Sequence, residues 1–150
     1  MFLLKKFKGR SGVHKGIDII VRSIRSGTNI IGAPGCVLFD NDIANKTTGI
    51  DIEKEYAYLV DLNFYIKLLL IGDFYIIKEP LFQYKVSQST CSWKMRWIAP
   101  ICFNRYITKM HKDKYIKLSI VDRFSGRIMA WLLAIARNIV FFIINRKHGI

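Results

Sequence analysis

Acidic residues are scarce in this chain of 150 amino acids: 11 Asp and Glu stand against 24 Lys and Arg, a formal charge of +13. Proline, histidine and cysteine are scarcer still, at three each. Cys36, Cys91 and Cys102 are far apart, odd in number and without a CxxC pair, which argues against a disulfide framework or a zinc site. They read as buried, reduced thiols in a cytosolic setting. His14, His111 and His148 lie scattered in polar, basic surroundings without metal-ligand spacing and read as surface histidines. Internal repeats, low-complexity linkers, leucine heptads, zinc-finger spacings and aromatic RNA-binding signatures are all missing. An export signal is not expected, because Met1-Phe-Leu-Leu-Lys-Lys puts its charges after the apolar residues and has no long apolar stretch.

What is present is half hydrophobic (51%) and rich in aromatics (13%), enough for one domain with a core and against wholesale disorder. The charge is segregated. Residues 1–50 carry +5, residues 51–90 carry −2 and residues 91–150 carry +10. Basic ends attract polyanions, either nucleic acid or an anionic membrane face. Here the charge flanks long apolar helical stretches and no nucleic-acid reading element accompanies it, so a membrane surface is the expected partner and nucleic acid is not.

Ile17–Val21 reads as a short helix or strand before the turn Ser26-Gly27-Thr28-Asn29. Gly32, Pro34 and Gly35 then force a sharp non-helical path, and Cys36–Phe39 reads as a short buried strand. Residues 40–50 are polar and turn-forming, and Asp51–Tyr58 is helical or irregular. The clearest helix runs from Asp61 to Gly72, with Leu62, Tyr65 and Leu69 at helical spacing and Gly72 as its stop. Phe74–Ile77 and Leu81–Val86 read as strands joined by Lys78-Glu79-Pro80. Helices follow near 93–112 and from about 119 to 146.

An aspartate opening a helix after a loop has two readings. Asp61 can cap the helix by accepting its free amides, or it can face a pocket as a general base. One carboxylate can do both, and spacing does not separate them. The neighbourhood adds more. Asn29-Ile-Ile-Gly32-Ala-Pro34, the Cys36–Phe39 segment, Thr48-Gly49-Ile50-Asp51, Tyr58-Leu-Val-Asp61-Leu-Asn-Phe-Tyr-Ile-Lys-Leu, Gly72-Asp73-Phe-Tyr-Ile-Ile and Glu79-Pro80-Leu-Phe-Gln-Tyr84-Lys85 follow one another in order. This succession, over about residues 16–93, resembles the second half of bacterial family-2 glycosyltransferases of the GT-A fold that build surface polysaccharides.

The resemblance implies that Asp61 is the catalytic residue, taking the proton from an acceptor hydroxyl that then attacks the anomeric carbon with inversion. It also implies substrate-binding positions at Asn29, Gly32, Pro34, Asp51, Tyr84 and Lys85. Asp51 is either a supporting residue of that site or a turn former. The partners implied are a nucleotide-sugar donor and a lipid-linked saccharide acceptor. A divalent cation, Mg2+ or Mn2+, is implied for the full-length family, with its ligands outside this chain. Asp40-Asn41-Asp42 spells the D-x-D of such cation sites. It is not expected to bind metal, because the alternating strands and helices that precede that motif are not found in the 39 residues before it. A solvated turn is the reading there.

Ile128–Ala136 and Ile139–Ile144 flank Arg137-Asn138. As a helix, Ile128–Ile144 spans about 26 Å, short of a ~30 Å hydrocarbon core and carrying an arginine. Arg123, Arg127, Ala130, Ala134, Asn138 and Asn145 form a narrow polar stripe against a wide apolar face. That pattern suits a helix lying in the membrane interface; packing on another domain is the alternative.

The expected architecture is therefore α/β. Residues 1–92 would form a partial GT-A-like portion with a few short strands around the Asp61 helix. Residues 93–150 would form a basic, apolar helical extension. The expected protein is a glycosyltransferase fragment, inactive alone without a donor-binding half, peripheral on the inner face of the bacterial cytoplasmic membrane. A non-catalytic membrane-surface adaptor and a basic nucleic-acid-binding protein are the rival readings.

Overall fold

The computed structural model describes residues 11–52, 58–79, 81, 91–113 and 116–148. Chain order is β1 (Gly12–His14), α1 (Gly16–Arg25), α2 (Asn41–Asn45), α3 (Val60–Leu69), β2 (Phe74–Ile76), α4 (Cys91–Lys94), α5 (Ala99–Lys112) and α6 (Ile120–His148). Helices dominate. The strands β1 and β2 pair antiparallel, with Val13 opposite Tyr75. The fold is α/β in the broad sense of helices with a small sheet.

Ile17–Val21 belongs to a helix because Ile19, Ile20 and Ile24 recur on one face and are all fully buried. Asp18 in the first turn of α1 and Arg22 and Arg25 in the last suit its dipole. The backbone amide of Gly16 donates to Asp73 Oδ1 at 3.2 Å, which ties the start of α1 to the head of β2. The Asp61 helix forms as expected, as α3. The second strand expected at Leu81–Val86 lies outside the described residues apart from Leu81, as does most of Asp51–Tyr58.

Cys36–Phe39 does not form the expected buried strand. Pro34–Cys36 makes one turn of 3-10 helix, Leu38 is 98% exposed and Phe39 is half exposed, its ring edge-on to Phe64. Val37 keeps an extended backbone (φ −124°, ψ 131°). The physical reason is that a strand needs neighbours for its amides and carbonyls, and the described sheet holds only β1 and β2. Cys36 is likewise exposed, against the expectation of a buried thiol, whereas Cys102 is buried.

One core joins α1, α3, α5 and α6, with Ile19, Ile24, Leu62, Ile66, Phe103, Ile107 and Ala130 among its members. The approach of α6 to α1 is very close. A Cβ at Gly126 would overlap the Ile24 carbonyl oxygen, and one at Gly27 would overlap the backbone of Ala130. Gly27 also sits at φ +65°, a conformation that suits glycine. An ion pair locks this crossing: Arg25 Nε donates to Asp122 Oδ1. The other oxygen of Asp122 accepts from the amide (2.9 Å) and hydroxyl (2.7 Å) of Ser119, while Ser119 Oγ accepts from the Asp122 amide at 3.1 Å. Ser119 and Asp122 thus form a reciprocal capping box that starts α6.

Two tests follow from this crossing. Gly126→Ala should gain about 1 kcal/mol of helix propensity, but forcing its Cβ onto Ile24 should cost about 1–3 kcal/mol. A lower melting temperature is therefore expected, and a higher one would mean the helices are not in contact there. Burial pushes the Asp122 carboxyl up, yet the hydrogen bonds from Arg25 and Ser119 outweigh it and the net shift is downward. A lowered pKa contributes stability above the unfolded value of about 3.9, and that contribution is lost as pH falls through the folded value. Asp122→Asn should accordingly destabilise by about 1–3 kcal/mol near neutrality. In urea titrations, its deficit against the parent should shrink as pH falls below about 4.

Candidate functional site

Two loops and α3 assemble the residues singled out from the sequence. Asn29 shapes its own loop: its Oδ1 accepts from the amides of Ile31 (3.0 Å) and Gly32 (3.2 Å), and its Nδ2 donates to the Gly32 carbonyl at 2.9 Å. Gly32 lies at φ +128°, and a Cβ there would crowd Cys36 Sγ. Pro34 opens the 3-10 turn, and the Cys36 thiol donates to the Ala33 carbonyl at 2.8 Å. These contacts fold the loop so that Ile31 and Val37 pack on Phe64, Tyr65 and Leu68 of α3.

Asp61 is the second residue of α3, and the cap position is Leu59, which makes no side-chain cap bond. Asp61 is therefore not the N-cap. Its side chain is exposed at the surface, and partial burial raises its carboxyl above the usual range. Among the described residues none donates a hydrogen bond to it. One turn on, Tyr65 is buried and its hydroxyl has no partner among the described residues. Burial first, then the Asp61 charge and Cys36, push that phenol up to about 12. A buried hydroxyl without a partner is uncommon. Here it stands where the Asn29–Cys36 loop meets the first turn of α3.

The opposite face of α3 carries a second constellation. Residues 63, 66, 67 and 70 lie roughly half a turn from 61, 65 and 68. Asn63 Nδ2 donates to Asp51 Oδ2 at 2.8 Å, and Tyr106 Oη of α5 donates to Asn63 Oδ1 at 3.1 Å. Lys67 Nζ reaches Thr48 Oγ1 (2.7 Å), the Gly49 carbonyl (2.8 Å) and Asp51 Oδ2 (2.9 Å). Its hydrogen bond is the main reason the Asp51 carboxyl is held below its ordinary range, with Asn63 adding to the effect and burial opposing it. This network walls a cleft of about 260 Å³ floored by Ile66, Leu70 and Met110. Asp61 does not line it.

The structure thus brings Asn29, Gly32 and Pro34 to the Asp61 face, and Asp51 to the other. Tyr84 and Lys85 lie outside the described residues. Asp40 caps α2, its Oδ1 accepting from the amides of Asp42 (2.7 Å) and Ile43 (3.4 Å). Residues 41–45, expected as a solvated turn, thus form a short capped helix. Sequence reading missed Asn63, Lys67 and Tyr65. The available signal was spacing: Asn63 and Lys67, and likewise Asp61 and Tyr65, are four apart and share a helix face.

Tyr106→Phe should leave the buried Asn63 Oδ1 unpaired and cost about 1–3 kcal/mol in denaturant titrations. Combined with Asn63→Ala, the two losses should be less than additive, because both break the same bond. Strict additivity would mean that the bond is not made. Comparisons of the chain with family models, with curated proteins and with solved structures find no match.

Proposed function

We propose that this chain is the acceptor-side half of a family-2 glycosyltransferase of the bacterial surface-polysaccharide type, with Asp61 as general base. The observation that carries the reading is the pairing of Asp61 with Tyr65 beneath the Asn29–Cys36 loop. A surface carboxylate raised by partial desolvation stands beside a buried hydroxyl without a described partner, at the junction of the segments that bear the family resemblance. A carboxylate shifted upward is the better proton acceptor. The apolar Cys36–Phe39 segment supports the same reading: in a partial GT-A-like arrangement its missing β-partners, and the cover for Leu38, belong to a donor-binding half outside these residues.

In this mechanism the acceptor hydroxyl gives its proton to an Asp61 carboxylate oxygen. The acceptor oxygen forms a bond to the anomeric carbon as the bond to the nucleoside diphosphate breaks on the opposite face, with inversion. The Asn29–Cys36 loop packs on the same face of α3 as Asp61 and shapes the wall beside it. The donor is a nucleotide sugar and the acceptor a lipid-linked saccharide. Any Mg2+ or Mn2+ would come with the donor half, and no step assigned to this chain runs through it.

The purified 150-residue chain alone should neither hydrolyse nor transfer sugar from a nucleotide donor. In an enzyme reconstituted from this chain and a polypeptide carrying the donor half, Asp61→Asn should lower transfer by a factor on the order of 10²–10⁴, the usual worth of a general base. Donor affinity should be unchanged. Transfer at an undiminished rate would remove Asp61 from the reaction and favour a membrane-surface adaptor without an active site.

A further inference from the structure

The two long faces of α6 are unlike each other. Gly126, Ala130, Ala134 and Phe141 are buried toward the body of the protein. At 100° per residue, Phe124, Ile128, Trp131, Ile135, Ile139 and Phe142 fall together on the opposite side, and all six are exposed. The row from Phe124 to Phe142 runs for about 27 Å at 1.5 Å per residue. Soluble surfaces rarely leave so continuous an apolar strip uncovered.

A basic groove of about 720 Å³ lies between α5 and α6, lined by Arg105, Thr108, Lys109, Lys112 and Arg127, with Asp113 as its one acid. Arg127 joins the two features. It lies three residues after Phe124 and four before Trp131, at the edge of the apolar strip, and its Nη2 donates to Thr108 Oγ1 across the groove at 2.9 Å. A partner that satisfies both features must offer hydrocarbon and, alongside it, negative charge. A nucleic acid offers only the charge. A second copy packed strip to strip by a two-fold axis would bring two basic grooves close together, which like-charge repulsion opposes.

Ile120–Ile143 is long and apolar enough to cross a bilayer by length and composition. The structure argues for a different posture. The inner face of α6 is held by the glycine contact with Ile24, by the Arg25–Asp122 pair and by the bond from Arg137 Nη1 to Tyr58 Oη at 2.9 Å. Crossing would break these contacts and carry Arg123, Arg127 and Arg137 into hydrocarbon.

We propose that α6 lies flat in the interface of an anionic bilayer, its Phe124–Phe142 strip among the upper acyl chains and lipid phosphates in the α5–α6 groove. This deepens the reading above by naming the surface on which a lipid-linked acceptor would be met, yet it needs nothing from Asp61.

The test is co-sedimentation of the 150-residue chain with vesicles of phosphatidylcholine alone or mixed with phosphatidylglycerol. Tight binding to the mixed vesicles only, weakened by salt, is expected, with a blue shift of tryptophan emission that Trp131→Phe removes. The triple variant R105Q/K112Q/R127Q should bind the mixed vesicles more weakly by a factor on the order of a hundred, given three charges near the surface. F124S/I135S should lose binding while keeping the parent's circular dichroism, since both side chains are exposed. Equal binding to neutral vesicles, or full binding by either variant, would overturn the proposal. So would a lipid-free dimer that F124S/I135S dissolves, or capture by polyphosphate or a DNA duplex in preference to anionic vesicles. Asp61→Asn should bind vesicles like the parent, so loss of transfer without loss of binding separates the active-site reading from this one.

Discussion

The crossing of α1 and α6 is the constraint on which the rest of the structure depends. Only residues without bulk at Gly27, Gly126 and Ala130 allow the two backbones to meet, and the charge pair between Arg25 and Asp122 closes the crossing at one end. With α1 fixed there, Ile19, Ile20 and Ile24 are presented to α3 and α5, and the core closes around Leu62, Ile66 and Ile107. The carboxylate of Asp122 serves two neighbours at once, capping its own helix through Ser119 and gripping the end of another. Local and tertiary interactions agree at this residue, the kind of consistency that defines a single fold.

The α3 helix divides the polar chemistry. One side belongs to Asp61 and Tyr65 and meets the Asn29–Cys36 loop. The other belongs to Asn63 and Lys67 and meets Asp51, Thr48 and Tyr106. The second side is fully cross-bonded, donor to acceptor, and reads as architecture that fixes α3 on α5. The first side leaves the Tyr65 hydroxyl without a partner among the described residues and a carboxylate partly desolvated.

Much of this was legible in the sequence, for identifiable reasons. The periodic segments behind α3, α5 and α6 declared themselves because burial on one face imposes a repeat of 3.6 residues, whereas the short run Ile17–Val21 fitted helix and strand alike and only the structure makes it α1. The Ser119–Asp122 box was equally readable from spacing and was overlooked. Cys36–Phe39 misled because apolar composition describes a strand's preference but not the availability of partners. Leu38 stays in solvent because nothing among the described residues lies beside it to complete a ladder. The division of Asp51 from Asp61 was not readable, since loops carry no periodicity and only the folded path of residues 46–51 decides which flank of α3 they join. The closeness of α1 to α6 was hidden as well: glycine in a helix usually signals weakness, and only its neighbours reveal that the lack of a side chain is what the contact requires.

The buried inner face of α6 has a practical corollary for dissecting the protein. The last thirty or so residues look like a detachable tail by composition, but Gly126 rests on the carbonyl of Ile24 and touches Ile107. Cutting the chain ahead of α6 would not liberate a soluble body from a greasy appendage. It would unroof two of the best-buried isoleucines in the molecule and leave Arg25 without its counter-ion, so the shortened product should be less soluble than the whole.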